Sequence, residues 1–216
     1  MKKHTGIKVI IWDFDGTFFR PNQALWDAVR SSEYRTIINH TGWSMEKTVY
    51  EFQKYYKIVT PSATETVAYL CNITTSEAAL EMEEYFDRRK FVKKDKRLVS
   101  LFRKLDRFDH YILANGVKKK LEETLVVLGL SQGIFKEIIT SETVGVNKPS
   151  DKGFRYILKI TNVAPKEHLM IGDREAVDLA PAKKLGMHTC LVWSDTKSSI
   201  VDVTLPTVYD VARMMV

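Results

Sequence analysis

Residues 7–12 form an apolar stretch rich in β-branched side chains, which is typical of a strand buried on both faces. Gly16 follows shortly afterwards and predicts a tight turn at the end of this strand. Side chains two positions apart in an extended chain point the same way, so Asp13 and Asp15 are expected to project together. Phe14 is then expected to point into the core. The pattern predicts an acidic turn at the carboxyl end of a buried strand.

Beyond this turn the apolar residues recur at helical spacing. Four helix starts are predicted from N-caps, a capping box or a proline at the first helical position: Asn22, Ser44, Thr60–Pro61 and residues 74–77. These helices are expected to end near residues 40, 57, 71 and 90, with Gly42 closing the first. Four helices without an intervening strand predict an α-helical insertion over residues 19–95.

From residue 95 onward, helical and strand patterns alternate. Helices are predicted over residues 95–108, 117–128, 151–160 and 179–185, and strands over 111–114, 137–140, 168–172 and 189–193, followed by a weak strand and a final helix within 201–216. Such alternation is typical of an α/β fold, a Rossmann-like doubly wound parallel sheet covered on both faces by helices. The core domain is therefore assigned to residues 1–18 and 96–216.

Composition narrows the class of protein. The chain has 216 residues, of which 44% are hydrophobic and 28% charged, as in ordinary globular proteins. That length suits one large domain with an insertion. No apolar run approaches the ~18 residues that a membrane-spanning helix needs, and the first residues lack the architecture of a signal peptide. A cytoplasmic protein without a membrane partner is expected.

Cysteines and charge add two expectations. Cys71 and Cys190 lie far apart, without the spacing of metal ligands, and are expected to be buried free thiols. The formal net charge is +6. Short basic clusters such as residues 118–120 belong to predicted helices, and we expect them to lie on the solvent-exposed faces of those helices. No nucleic-acid partner is expected, because no nucleic-acid-binding motif accompanies the charge.

Polar turns follow four of the predicted strands. They lie at residues 13–17, 115–116, 147–150 and 172–178. In parallel α/β sheets the ligand binds beyond the carboxyl ends of the strands. The fold is therefore expected to bring the four turns together, although they span most of the sequence.

The acidic turn itself indicates a metal. Two carboxylates side by side at the end of a buried strand repel each other strongly unless a cation or a shared proton compensates. Because Asp13 and Asp15 offer only oxygen ligands, a hard ion such as Mg²⁺ is favoured. Asp and Gly also form ordinary turns after strands, and that interpretation stays open at this point.

The later turns supply further candidates. Lys148 is a point cation that could hold an anionic ligand beside the carboxylates, and Pro149 restrains it to an extended conformation; a surface lysine is the alternative. Asp173 follows a glycine at a strand end and is a third candidate metal ligand. Asp178 is either part of the site or a simple helix N-cap.

Taken together, these motifs resemble the haloacid dehalogenase-like hydrolase superfamily. The resemblance rests on Asp13-x-Asp15-Gly16-Thr17, Asn115-Gly116, Lys148-Pro149 and Gly172-Asp173-x₄-Asp178, in this order and spacing. It covers nearly the whole core. The helical stretch of residues 19–95 lies where members with an α-helical, C1-type cap insert it.

The resemblance implies a role for each acidic residue of the core. Asp13 would be the nucleophile that forms an aspartyl-phosphate, and Asp15 would be the general acid and then the general base. Mg²⁺ would bind the Asp13 carboxylate, the Asp15 backbone carbonyl and Asp173. Lys148 would hold Asp13 and the phosphate, and Asp178 would act from the outer shell of the metal site.

One position departs from the family pattern. The family places Ser or Thr at the end of the second strand to bind phosphate, and this chain has Ala114 there. Loss of such a donor can cost ~10²–10³ in rate. Either Asn115 and nearby backbone N–H groups supply the contact, with Thr17 and Gly116 completing the phosphate site, or the protein is a slow or degenerate member.

The leading hypothesis is a Mg²⁺-dependent phosphomonoester hydrolase acting on a small soluble ester, a sugar phosphate or a nucleoside monophosphate. A sugar-phosphate mutase-type phosphotransferase is the first alternative. A weakly active or non-catalytic phospho-ligand-binding protein is the second, because of Ala114. The retained Asp15 argues against a haloacid dehalogenase. The sequence leaves a monomer and a homodimer equally open.

Overall fold

The computed structural model describes residues 6–56, 58 and 62–215. Its helices are α1 (Gln23–Thr41), α2 (Met45–Tyr56), α3 (Ala63–Cys71), α4 (Thr75–Glu84), α5 (Lys96–Lys104), α6 (Lys118–Leu128), α7 (Ser141–Val144), α8 (Lys152–Thr161), α9 (Ala180–Lys184) and α10 (Val211–Met215). Its strands are β1 (Val9–Trp12), β2 (Asp109–Leu113), β3 (Phe135–Ile139), β4 (His168–Gly172), β5 (His188–Val192) and β6 (Val203–Leu205).

The six strands form one parallel sheet in the order β3-β2-β1-β4-β5-β6. This order is that of a doubly wound, Rossmann-like fold, as the sequence predicts. β1 lies between β2 and β4, and Trp12 is in register with Ile112 on one side and Ile171 on the other. The turns that follow these three strands therefore leave the sheet at the same edge.

Helices cover both faces of the sheet. Alternate residues of β1 serve the two sides, because side chains along a strand point to opposite faces. Ile10 and Trp12 belong to one buried apolar cluster, and Val9 and Ile11 belong to the other. All four are at most 1% exposed, which explains the uninterrupted apolar run in the sequence.

Helices α1–α4, here called the helical lobe, pack against one another and have an apolar cluster of their own. That cluster contains Ile37, Phe52, Val67, Ala68, Ala78 and Met82. Asn22 caps α1 and accepts a hydrogen bond from the Leu25 N–H, and Thr74 with Glu77 forms a capping box on α4. The lobe is the inserted α-helical segment predicted from the sequence. Its status as a separate domain stays a prediction.

Several predicted boundaries were wrong. The fourth helix ends at Glu84 instead of near residue 90, since Asp87 caps a separate 3₁₀ turn over Arg88–Phe91. The helix after residue 95 ends at Lys104, where the chain turns toward β2. Ser62 caps the third helix, and the predicted start at Thr60–Pro61 lies outside the described residues.

The structure also bears on the predictions about the two cysteines and about membrane-spanning helices. Cys190 is a buried free thiol as predicted, but Cys71 is only partly buried because it lies at the end of α3, on the surface of the lobe. Within the part of the chain that the structure describes, no helix combines the length and apolar character needed to cross a bilayer.

Candidate active site

Lys148 lies between two carboxylates at the carboxyl edge of the sheet. Its Nζ atom donates hydrogen bonds to Asp13 Oδ1 at 2.6 Å and to Asp178 Oδ1 at 2.7 Å. All three side chains are buried, so the alternative of a surface lysine is wrong. Burial alone would lower the pKa of Lys148, but the Asp13 and Asp178 carboxylates raise it above its usual value. The side chain of Lys148 is thus a protonated, positively charged ammonium group.

Asp178 is not a helix N-cap. It lies inside a π-helical turn over Glu175–Leu179 that leads into α9. Its second oxygen accepts a hydrogen bond from the Arg174 N–H at 3.1 Å, which leaves the first oxygen directed at Lys148. The short π-helical turn carries this carboxylate into the site, and such turns occur often at functional positions.

The second oxygen of Asp13 is also held. Thr17 Oγ1 donates a hydrogen bond to Asp13 Oδ2 at 2.8 Å. Trp193, directly after β5, donates from its Nε1 to the Thr17 carbonyl at 2.9 Å. Trp193 has a φ of 62°, which is unusual for a bulky residue. Sequence reasoning did not single out Trp193, since no motif links it to the acidic turn.

Asp173 completes a cluster of acids. Carboxylate oxygens of Asp13, Asp173 and Asp178 lie within 4.8 Å of one another. Burial, together with the charges of Asp13 and Asp178, raises the pKa of Asp173 to about 7. Among the described residues, no group donates a hydrogen bond to its buried Oδ1 atom. An oxygen of this kind within an all-oxygen donor set fits a hard divalent cation such as Mg²⁺.

Gly16 allows this close approach. Its φ is +90°, in the region that favours glycine, and a Cβ atom there would collide with the carboxylate of Asp173. Any other residue would push the Asp13 turn away from the turn that follows β4. The glycine of the acidic motif is therefore needed both for the turn and for the spacing of the carboxylates.

Asn115 fixes the backbone of Lys148. Its Oδ1 atom accepts from the Lys148 N–H at 2.8 Å, and its Nδ2 atom donates to the Lys148 carbonyl at 2.9 Å. The side chain thus positions the lysine across 33 residues of sequence. Contacts of Asn115 and Gly116 with phosphate stay predictions, and because both polar atoms of the Asn115 side chain bond to Lys148, such contacts would involve mainly backbone N–H groups.

Asp15 has a partner that the sequence did not reveal. Arg88 Nε donates to Asp15 Oδ1 at 2.9 Å and to Oδ2 at 3.1 Å, and Arg88 Nη1 donates to Glu83 Oε1 at 2.6 Å. Arg88 lies 73 residues from Asp15, in a stretch without a recognisable motif. No local signal could have found this pair.

A cavity of about 140 Å³ lies between the sheet edge and the helical lobe. Asp13, Asp15 and Ala114 line it from the sheet side, and Trp26 and Glu33 from the lobe. The structure therefore brings the predicted nucleophile and the predicted acid–base residue to one small cavity. Ala114, which stands where the family has Ser or Thr, lines the same cavity. Other aromatic residues of the lobe, among them Tyr34, Phe52 and Tyr56, pack in or against its apolar cluster instead.

Residues 10–192 match the family model described as haloacid dehalogenase-like hydrolase. This match spans most of the chain. The chain belongs to the haloacid dehalogenase-like hydrolases. The resemblance to this superfamily and its Rossmann-like fold are thus confirmed, whereas the C1-type cap and the roles of the residues in the acidic turn stay predictions.

Among curated members of the superfamily, a glyceraldehyde 3-phosphate phosphatase of Methanocaldococcus jannaschii is 38% identical over 78 residues. That match covers 36% of this chain and 34% of the relative, and the chain spans about a third to a half of the first curated relatives it matches. The likeness in fold to solved structures extends over nearly all of this chain. A phosphatase from Thermococcus onnurineus has a TM-score of 0.69 at 20% identity, covering 97% of this chain and 98% of that one.

The HAD-hydrolase YfnB from Bacillus subtilis has a similar fold, with a TM-score of 0.63 at 20% identity and coverage of 97% of this chain and 98% of that one. Its crystal structure contains bound magnesium. Both structures support the fold assignment.

Replacing Asp173 with asparagine should have opposite effects with and without metal. The metal-free variant should unfold at a higher temperature than the wild type, by ~2–4 °C for each kcal/mol of repulsion removed. Added Mg²⁺ should stabilise the wild type and should stabilise the variant much less. Thermal unfolding with and without Mg²⁺ measures both effects. The Asp106→Asn change at an exposed position is the matched control, and equal stabilisation of Asp173→Asn and wild type by Mg²⁺ would contradict the prediction that Asp173 is a metal ligand.

Proposed function

We propose that this protein is a Mg²⁺-dependent phosphomonoester hydrolase that acts through an aspartyl-phosphate on Asp13. The single observation that carries the proposal is the environment of that carboxylate. Lys148 and Thr17 hold its two oxygens beside a small cavity, with Asp15 lining the same cavity. A fixed carboxylate next to a buried cation suits in-line attack on a bound phosphoryl group.

In the first half-reaction an Asp13 oxygen bonds to phosphorus while the bond from phosphorus to the ester oxygen breaks. Asp15 gives its proton to the departing alcohol. In the second half-reaction Asp15 takes a proton from water, whose oxygen attacks the same phosphorus and releases Asp13 and inorganic phosphate. Lys148 holds Asp13 in place and offsets negative charge throughout.

Asp13, Asp173 and the backbone carbonyl of Asp15 would hold Mg²⁺, with Asp178 acting from outside through Lys148. When bound, the ion supplies positive charge against the repulsion between carboxylate and phosphate. The unpartnered Oδ1 atom of Asp173 supports this assignment for the described site. The magnesium found in the B. subtilis relative is consistent with it.

The cavity favours a small substrate. Its volume of about 140 Å³ is far below the ~300–1,000 Å³ of sites that enclose drug-sized ligands. Of the two classes predicted from the sequence, a sugar phosphate of about three carbons fits better than a nucleoside monophosphate. The M. jannaschii relative is named for an ester of that size. The helical lobe would then act as the cap that closes over the ester, in a cytoplasmic enzyme.

Alanine at position 114 should be compatible with catalysis. Ala114 is buried and lines the cavity, next to the Asn115 amide that fixes Lys148. Because the Ala114→Thr change adds a hydroxyl donor beside the phosphate position, it should preserve or raise kcat/KM, by up to ~10²-fold. Steady-state kinetics on the best ester measures the change. A large loss would mean that alanine is required to fit the substrate.

The proposed function is tested by phosphate release from a panel of small phosphomonoesters, with Mg²⁺ and with EDTA. The panel contains triose, pentose and hexose phosphates, phosphorylated amino acids and nucleoside monophosphates. We expect turnover that favours the smallest esters and stops with EDTA. Binding of phosphate without turnover of any ester would favour the non-catalytic alternative, and isomerisation without release of phosphate would favour the mutase.

A further inference from the structure

Two segments connect the helical lobe to the sheet, and they meet at one ion pair. Asp15 lies on the outgoing segment, between β1 and α1, and Arg88 lies on the returning segment, between α4 and α5. The side chain of Arg88 is only 5% exposed. Burying a charged group this deeply costs free energy unless the group is paired and hydrogen-bonded, as Arg88 is with Asp15 and Glu83.

Arg88 holds Asp15 through both carboxylate oxygens and is itself anchored from the lobe. Its Nη1 atom donates to Glu83, a residue of α4 that is also 5% exposed. Burial raises the pKa of Glu83, and Arg88 opposes that rise. The Asp15 and Glu83 carboxylates in turn raise the pKa of Arg88, against the effect of burial. The three groups form one charged chain from α4 to the acidic turn.

Asp15 has little else to orient it. Within residues 6–56, 58 and 62–215, Arg88 is the one side chain with a hydrogen bond or ion pair to its carboxylate. Asp13, in contrast, is held by Lys148 and by Thr17. The nucleophile is thus fixed by the sheet-side residues alone, whereas the predicted acid–base residue depends on a group carried by the segment that returns from the lobe.

We propose that Arg88, anchored by Glu83, is a positioning residue that sets the Asp15 carboxylate for proton transfer and makes this placement depend on the seating of the lobe. The inference rests on the proposed function. It predicts a specific kinetic defect, because a misplaced acid harms poor leaving groups more than good ones. A residue that merely held the fold or bound the phosphoryl group would affect all esters alike.

The test compares kcat/KM for two esters, p-nitrophenyl phosphate and glycerol 3-phosphate, in wild type, Arg88→Met and Arg88→Lys. This constant covers the steps up to departure of the alcohol. Arg88→Met should lose ~10²–10³ with the alkyl ester and less than ~10 with the aryl ester. Arg88→Lys keeps the charge without the planar fork, so its loss should be intermediate and equally selective.

Arg89→Met is the matched control, since Arg89 is the next residue and is partly exposed, and its ion pairs among the described residues are with Asp87 and Glu123. It should leave both constants unchanged. Glu83→Gln should give a smaller loss with the same selectivity, because the amide still accepts from Arg88. Thermal unfolding measures whether each variant folds. If Arg88→Met does not fold, Glu83→Gln still tests the positioning role.

Equal losses with both esters, or no loss in any Arg88 variant, would overturn the positioning role while the wild-type enzyme remains active. Wild-type protein that releases phosphate from neither of these esters nor from any ester of the panel would overturn the proposed function together with this inference. The two failures are therefore distinguishable in one assay.

Discussion

Asp13→Asn should abolish phosphate release, lowering kcat by roughly 10⁴- to 10⁶-fold, as for removal of other covalent nucleophiles. The substitution keeps size and shape. Its amide oxygen can still accept from Lys148 or Thr17, which donate at 2.6 Å and 2.8 Å to the wild-type carboxylate. What it removes is the charge and the nucleophilic oxygen, so the loss should appear in kcat with every ester.

The measurement is steady-state release of phosphate by purified wild type and variant, with thermal unfolding of both. Asp109→Asn is the control, because Asp109 is an exposed residue at the start of β2 whose partner is Lys136. That control should keep full activity. Retention of more than about a tenth of wild-type kcat by Asp13→Asn would show that another group attacks phosphorus.

Lys148→Met should impair stability and activity together. The change preserves a long apolar stem but removes the cation that contacts Asp13 and Asp178, each buried almost completely. Breaking a buried ion pair by deleting one partner typically costs about 3–5 kcal/mol, because the remaining charges lose their compensation. The free energy of unfolding, measured with urea in the absence of metal, should fall by about that amount.

Activity of Lys148→Met should fall by ~10²–10³ or more, since a preorganised positive group beside the phosphoryl position is lost. Lys152→Met, an exposed lysine at the start of α8, is the control and should change neither property. If Lys148→Met were as stable as the wild type in metal-free buffer, the ammonium group would not be the compensating charge of this site.

The sequence predicted the sheet and the gathering of the turns because local signals carry both. The apolar run of β1, the αL glycine that closes α1 and the capping box at Thr74 each act over a few residues. Alternation of strands and helices then leaves one topology in which the acidic turn, Asn115 and Lys148 lie at one edge. The positions of these three features in the fold could therefore be predicted from the pattern of strands and helices.

The side-chain contacts of the site that the sequence did not predict join segments that lie far apart in the chain. Arg88 reaches Asp15 across 73 residues, and Trp193 reaches Thr17 across 176. Neither has a local signature, since an arginine in a basic stretch and a tryptophan after a strand are ordinary. Asp178 was placed in the site only through the family pattern, because its π-helical turn resembles a helix N-terminus in sequence. In all three cases the contact depends on where the side chain points, which the predicted helices and strands do not determine.

The most direct test of the account is to locate the phosphoryl group on the enzyme during turnover. Wild-type protein is mixed with Mg²⁺ and its best ester, quenched in acid, reduced with borohydride and digested for mass spectrometry. Reduction converts an aspartyl-phosphate to homoserine, and we expect homoserine at position 13 alone, absent from Asp13→Asn. Turnover of the ester with no modified residue, or with the modification at Asp15 or Asp173, would contradict the account.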